Sequence, residues 1–377
     1  MIVESLIGVL LGCFTGLIPG IHPNTISAFV SVSSRELVIL LISMSVTHTF
    51  LNIIPATFIG VPEEDTALTI FPAHELVNRG EGSKAVSISA FSSLLSAVMS
   101  VPLFYVVAGI SSINFILLYK PAVITALLFF LYQERDPFGG SLSGIKRRLN
   151  FLLIFALSGL LGVFSLREGD YFFPLLTGLF ATPMLLQSFG KSKVVEQRVV
   201  LSFPKIKDVV KGVIAGLIVS LFPGISSGVA TGIASANSRS PEEYIASISS
   251  ANTSAAILSI AMLHSGKVRS GVAEAVKGFA SDVFFVLPLF ILTSAIMSTA
   301  ICLALIRPAS AFFSKVNAGR VSSAVLISLS AVSLLLFGVL GLAIFFLAST
   351  IGVLSYVLRV RPISCMGSIM LPVLTFI

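Results

Sequence analysis

The chain predicts an all-α polytopic membrane protein, and three observations carry that prediction. Of its 377 residues, 55% are hydrophobic and only 11% charged, with a mean hydropathy of +1.02; a soluble domain carries about 25% charged residues. Apolar residues come in continuous runs of roughly twenty, the length a bilayer-spanning helix needs, not in the period-two alternation of a membrane barrel. One stretch also occurs twice: Leu17-Ile-Pro-Gly-Ile-His-Pro-Asn24 returns 204 positions later as Leu221-Phe-Pro-Gly-Ile-Ser-Ser-Gly228.

In each copy a Pro-Gly pair, Pro19-Gly20 and Pro223-Gly224, interrupts an apolar run that would otherwise read as one helix. Proline lacks the N–H the helix ladder needs and clashes with the carbonyl four residues back, and glycine loosens the next link. Each run is therefore expected to be two short helices with bare backbone between them. In hydrocarbon such an opening persists only where protein or a watery cavity covers it.

The first broken element occupies 2–33, followed by spans at about 37–59, 85–109, 113–133, 149–166 and 171–189. The second occupies 208–236, followed by spans at about 241–262, 278–306, 321–338, 339–358 and 362–377. The run 108–120, ending in Lys120-Pro121, reads as a further irregular stretch. This gives a first transmembrane repeat at 1–190, a basic connector at 191–207 and a second repeat at 208–377. No polar stretch is long enough for a soluble domain. The first apolar run has no basic leader and contains Glu4, so no cleaved signal peptide is expected.

Net charge is +7, but the basic residues lie between apolar spans, where they set topology and meet lipid headgroups rather than nucleic acid. If both broken elements turn back as re-entrant hairpins, five crossings remain per half. One face then collects all 24 Lys and Arg residues except Arg35, Lys120, Arg167, Lys267, Arg269 and Lys277. If the second element crossed instead, the basic residues would divide almost evenly. The positive-inside rule favours the hairpins and makes the basic face cytoplasmic. Since five is odd, the halves enter from opposite faces as inverted-topology repeats.

Opening a helix frees N–H donors at the start of the next one, a place suited to an anion. Those donors lie near His22, Asn24 and Thr25 in the first copy and near Ser226, Ser227 and Gly228 in the second. A proline kink in a packed span is the simpler account of either break; two breaks at matching positions favour a site. Within the spans, His48 and Asn52 share a helix face, and His48-Thr49 falls on Asn252-Thr253 at the same 204-residue offset. Such groups could merely join helices, but intramembrane polar residues at matching positions favour a pocket. Glu63, Glu64 and Asp65 follow an apolar span and read either as a solvated loop or as ligands for a coupling cation, H+ or Na+. Asp282 reads as interfacial. His74 and His264 read as loop residues in no metal-binding spacing, and Cys13, Cys302 and Cys365 as buried hydrophobes. No catalytic constellation, cofactor motif or ATPase motif is present.

The run His48-Thr-Phe-Leu-Asn-Ile-Ile-Pro55-Ala-Thr-Phe-Ile-Gly60-Val-Pro62 resembles a signature of the TctA-like permeases, the large membrane subunit of tripartite tricarboxylate transporters. Phe71-Pro72-Ala-His and Asn78-Arg-Gly80-Glu-Gly82-Ser-Lys84-Ala85 resemble the segment after it, and Val360-Arg-Pro-Ile-Ser-Cys-Met-Gly367-Ser-Ile-Met-Leu-Pro372 the last span. The resemblance implies a transporter for organic di- or tricarboxylates, with a small membrane subunit or a soluble binding protein as candidate partners. The chain departs from the family in having Pro62-Glu63-Glu64-Asp65 where the first signature usually continues Pro-Gly-Thr or Pro-Gly-Ser, and in lacking the second Pro-Gly-Ser stretch within 252–270. Three adjacent acids, which repel like charges, argue against a plain copy of a tricarboxylate site and for a divergent branch that could work without the binding protein.

The leading expectation is thus a secondary transporter of the cytoplasmic membrane. Its small anionic substrate would lie between Pro19, Gly20, His22, Asn24, Thr25, His48 and Asn52 on one side and Pro223, Gly224, Ser226, Ser227, Gly228, Asn252 and Thr253 on the other. A translocase of a lipid-linked phosphate, such as a polyprenyl phosphate carrier, is the alternative. A membrane enzyme or structural subunit ranks third, and homodimerisation is left open.

Overall fold

The computed structural model describes residues 1–18, 21–58, 70–113, 116–134, 141–169, 171–187, 197–222, 227–234, 238, 240–315 and 318–376. Every regular element among them is helical. The first half comprises α1 (Ile2–Leu17), α2 (Pro23–Ala28), α3 (Arg35–Leu51), α4 (Ile53–Phe58), α5 (Ile70–Asn78), α6 (Gly82–Ile110), α7 (Ile116–Gln133), α8 (Ser141–Glu168), α9 (Phe172–Leu176) and α10 (Thr182–Gln187). The second comprises α11 (Ile206–Leu221), α12 (Ser227–Ala234), α13 (Pro241–Ala261), α14 (Gly271–Val276), α15 (Ala280–Val283), α16 (Leu287–Lys315), α17 (Ala318–Val357) and α18 (Gly367–Phe376). Among the described residues, six helical stretches are long and apolar enough to cross a membrane: Arg35–Phe58, Gly82–Ile110, Leu142–Glu168, Pro241–Ser265, Leu287–Phe312 and Gly319–Val357.

Both breaks form where the Pro-Gly pairs require them. α1 and α11 end at residues 17 and 221, and the next residue is extended in each: Ile18 at φ −104°, ψ 105° and Phe222 at φ −112°, ψ 112°. A residue before proline is driven out of the α region by the proline ring. α2 restarts with Pro23 at its first position, where a missing N–H costs nothing. α3 and α13 begin alike: Ser34 accepts from Leu37 N, and Ser240 accepts from Glu243 N.

α1 and α3 run parallel. A Cβ built on Gly12 would lie 2.6 Å from Met44 O, and one on Gly16 3.1 Å from His48 O, while Ser5 Oγ bonds Ser43 Oγ at 2.9 Å. Two consecutive helices can be parallel only if the chain travels back between them, so α2 and residues 29–34 return to the level where α1 began. α11 and α13 repeat this, with Gly212 against Ser250 and Gly216 against Ala251. Lys205 and Glu243, at the starts of these two helices, pair at 2.9 Å, and the carboxylate holds the Lys205 ammonium above the ordinary lysine range. Sixteen residues of helix reach about 24 Å, short of the ~30 Å hydrocarbon core.

The halves interleave. α6 runs along α13, from Lys84–Glu242 (2.7 Å) through Ser249–Ser89 (2.8 Å) to Ser265–Ser111 (3.0 Å). α16 runs along α3, from Arg35–Asp282 (3.1 Å) through Ser298–Thr47 (2.9 Å) to Cys302–Phe50 (3.4 Å). The end of α6 lies beside the start of α16, with the Phe104 and Phe284 rings 4.9 Å apart. α6 therefore opposes α16 in direction, and α3 opposes α13.

One hydrophobic core joins α3, α6, α16 and the end of α13; a second joins α7, α8, α9, α17 and α18, with Ala215, Val229 and Ala230 of the second hairpin packed into it. In the second body the buried Glu134 carboxylate binds Arg147 at 3.0 Å and Arg361 at 2.9 Å, tying α7 to α8 and to the turn before α18.

Some expected boundaries move. The spans 321–338 and 339–358 form one run of helix broken at Gly338, whose φ of 66° and ψ of −165° are essentially restricted to glycine. The span at 278–306 shifts to 287–315, because residues 278–286 form turns and the short α15. His74 lies on α5 rather than in a loop, and His264 lies in a 3-10 turn. Asp282 is half-exposed and paired with Arg35, as an interfacial residue should be.

Candidate functional site

The ends of α1 and α11 approach from opposite directions and reach the same level. That level is marked by Thr49 Oγ1 and Thr253 Oγ1, 3.1 Å apart and buried. The two residues stand 204 apart, the offset of the two Pro-Gly breaks. Thr49 donates its hydroxyl to Val46 O at 2.8 Å, so it accepts from Thr253. Contact between equivalent residues is what an axis relating two halves would produce. Thr49 and Thr253 also fall near the middle of the spans Arg35–Phe58 and Pro241–Ser265.

Around this point the structure gathers His22 and His48. His48, on α3, is 1% exposed and its Nδ1 lies 3.1 Å from Thr15 Oγ1 on α1. The Thr15 hydroxyl donates to Gly12 O at 3.1 Å, so His48 Nδ1–H must be the donor to Thr15. His22 caps α2 with the opposite tautomer: its Nδ1 accepts from Asn24 N at 3.1 Å. The two rings meet edge to face at 4.7 Å. Asn52 is buried at the end of α3, and Asn252 is buried beside Thr253.

Asn24 has a different task. Its Oδ1 accepts from Val272 N at 3.1 Å, and a Cβ built on Gly271 would lie 2.9 Å from the Asn24 Cβ, so the residue docks α2 onto α14. Thr25, Ser227 and Gly228 lie on the two half-helices. Pro19, Gly20, Glu63, Glu64, Asp65, Pro223, Gly224 and Ser226 lie outside the described residues.

Sequence reasoning missed a second matched pair. Ser27 on α2 and Thr231 on α12 are 1% and 0% exposed, and neither hydroxyl has a hydrogen-bond partner among the described residues. They too are 204 apart. Most helical Ser and Thr hydroxyls here bond back to a carbonyl three or four residues earlier, as in Thr177, Ser298 and Thr299. A buried hydroxyl left unsatisfied is costly and calls for an explanation. Thr57, Ser92, Ser100, Ser294 and Ser310 share that state among the described residues, but only Ser27 and Thr231 stand at matching positions of the two halves.

Arg269 was also missed, having been counted only as a loop charge. Its Nε donates to Ser220 O at 3.1 Å, and its Nη2 donates to Leu221 O at 3.2 Å and to Tyr119 Oη at 2.7 Å. It thereby caps the last turn of α11 before the second break.

Six membrane-length helical stretches among the described residues make this a multi-pass membrane protein. The chain belongs to the tripartite tricarboxylate transporter TctA family, whose profile it matches over residues 2–367. Family members are the membrane component of tripartite tricarboxylate transporters, not enzymes. The chain is also similar to "Uncharacterized protein MJ1079" of Methanocaldococcus jannaschii, at 28% identity over 334 residues, covering 83% of this chain and 81% of that protein. No solved structure matches.

Proposed function

We propose that the protein is a secondary transporter of organic di- or tricarboxylates, binding them between the two hairpin ends at the level of Thr49 and Thr253. The observation that carries this reading is the matched pair of buried hydroxyls, Ser27 and Thr231, one on each half-helix, that have no hydrogen-bond partner among the described residues. Family membership supports the substrate class. In this reading the halves are inverted repeats, which the opposed directions of α3 and α13 and of α6 and α16 support. The hairpins are re-entrant, as the short α1 and α11 and the returning chain favour, and the basic face lies in the cytoplasm.

The first half-helix has six residues and the second eight. One donor of the first is already taken by His22. The anion therefore leans on the second hairpin, with His48 facing it from α3. Interleaving of α6 with α13 and of α16 with α3 prevents whole sequence halves from rocking as rigid units. Movement instead falls between the hairpin body and the α7–α10, α17–α18 body, with α11 and α12 at their junction. Glu63, Glu64 and Asp65 remain the proposed ligands of a coupling H+ or Na+. A small membrane subunit and a soluble binding protein are the proposed partners. The lipid-phosphate alternative calls for a basic residue deep in the membrane, for which the sequence offers Lys120 and Arg239; Lys120 is exposed on α7, and Arg239 lies outside the described residues.

Reconstitution tests the reading. Proteoliposomes should accumulate labelled citrate or succinate under an inward Na+ or H+ gradient, with and without candidate partner subunits. Absence of uptake under every gradient and combination would contradict it.

A further inference from the structure

We propose that Arg269 reads the charge of the substrate, its guanidinium pairing with a carboxylate of the anion bound at the end of the second hairpin. This rests on the carboxylate-transport reading and adds the residue that sets its preference for multiply charged substrates. Four other partly buried cations of this fold have acids beside them: Arg147 and Arg361 share Glu134, Lys211 has Asp208 at 3.0 Å, and Lys84 has Glu242 at 2.7 Å, whereas Arg148 and Lys267 donate to the backbone carbonyls of Glu134 and Ile113. Arg269 is partly buried, yet among the described residues no carboxylate lies within 4.0 Å of it. All its partners are neutral: two carbonyls and a phenol, with the Tyr119 ring centroid 5.5 Å from Cζ. A cation withdrawn from water without an anion is costly, and such residues in membrane proteins mark substrate paths.

Its position fits that task. The guanidinium lies on the last turn of α11, where the half-helix pattern opens. Three residues on, Val272 N bonds Asn24 of the first hairpin. The segment carrying Arg269 thus touches both hairpins, while Tyr119 belongs to α7 in the second packing body. The carbonyl end of α11 attracts the charge, but neutral acceptors yield readily to a carboxylate, because bonds between ionised partners are roughly twice as strong. The same 204-residue offset places Asp65 opposite Arg269 in the first half, so the halves differ in charge sign where they otherwise match.

The experiment compares uptake KM for citrate, succinate and lactate in proteoliposomes of the wild type, Arg269→Gln and Arg269→Lys. Thermal unfolding in detergent serves as the control for folding. Arg269→Gln should raise the citrate KM about tenfold or more relative to lactate, the worth of one charge-assisted bond. Arg269→Lys keeps the charge without the fork and should raise it several-fold less. An unchanged citrate-to-lactate ratio in Arg269→Gln, or an equal loss for all three substrates in both variants, overturns the inference while leaving carboxylate transport standing. Should Arg269→Gln not fold, an unchanged ratio in Arg269→Lys overturns it. If the wild type neither binds nor moves any of the three, the transport reading fails and this inference falls with it.

Discussion

Gly216→Val is expected to destabilise the protein by about 3 kcal/mol, the upper end of the range for forcing volume into a packed interior, and to abolish uptake with it. A Cβ at this position would fall 2.8 Å from the Ala251 carbonyl oxygen and closer still to Ser254 Oγ. A side chain can rotate away, but the α13 backbone cannot yield without losing its helix bonds. Close approach through small residues is how helices associate in lipid, where no hydrophobic force drives them together. Gly12→Val, at the equivalent place on α1, meets Met44 O at 2.6 Å and Thr47 Cβ at 2.5 Å and should behave alike. Gly109→Val has nothing within 4 Å and is the control. Thermal unfolding of the three variants in detergent separates them: equal midpoints for Gly216→Val and Gly109→Val would mean that α11 does not pack on α13.

Removing the hydroxyls of Ser27 and Thr231 together should have the opposite signature, with uptake falling at least about tenfold and stability unchanged or slightly raised. Deleting half of a buried hydrogen bond costs about 1–3 kcal/mol because its partner is orphaned, whereas a hydroxyl with no partner leaves nothing behind. Ser27→Ala/Thr231→Val therefore removes only what the hydroxyls give a ligand. The control is Ser298→Ala, whose hydroxyl bonds Ser294 O at 2.6 Å and Thr47 Oγ1 at 2.9 Å; it should lose stability first. Normal uptake by the double variant would remove both hydroxyls from the site.

The breaks were legible in the sequence because proline and glycine act on their own backbone, whatever surrounds them. Ile18 and Phe222 are extended for a reason local to the next residue. The same holds for Gly338, where a glycine between apolar runs splits α17. The Thr49–Thr253 contact could be anticipated only from the shared offset. Partnership between helices left no such trace. Apolar runs say that α6 and α16 are long enough to span the membrane, but not that each packs against a helix of the other half. Ser27 and Thr231 were not singled out because a serine in an apolar helix ordinarily bonds its own backbone, and only coordinates distinguish those that do not. Arg269 was passed over because a basic residue between spans usually sets topology; Asp65 at the matching offset was the one available clue.

The account depends on each hairpin returning to the face it entered by, with the two entering from opposite faces. Single cysteines at positions 2, 35 and 207, placed in a background with Cys13, Cys302 and Cys365 replaced by alanine, test this with a membrane-impermeant maleimide. All three positions are well exposed in the structure. Positions 2 and 35 should react from outside intact cells, and position 207 only after the membrane is opened. Labelling of 2 and 35 from different faces would mean that α1 and α2 cross the bilayer, and would contradict the hairpin architecture.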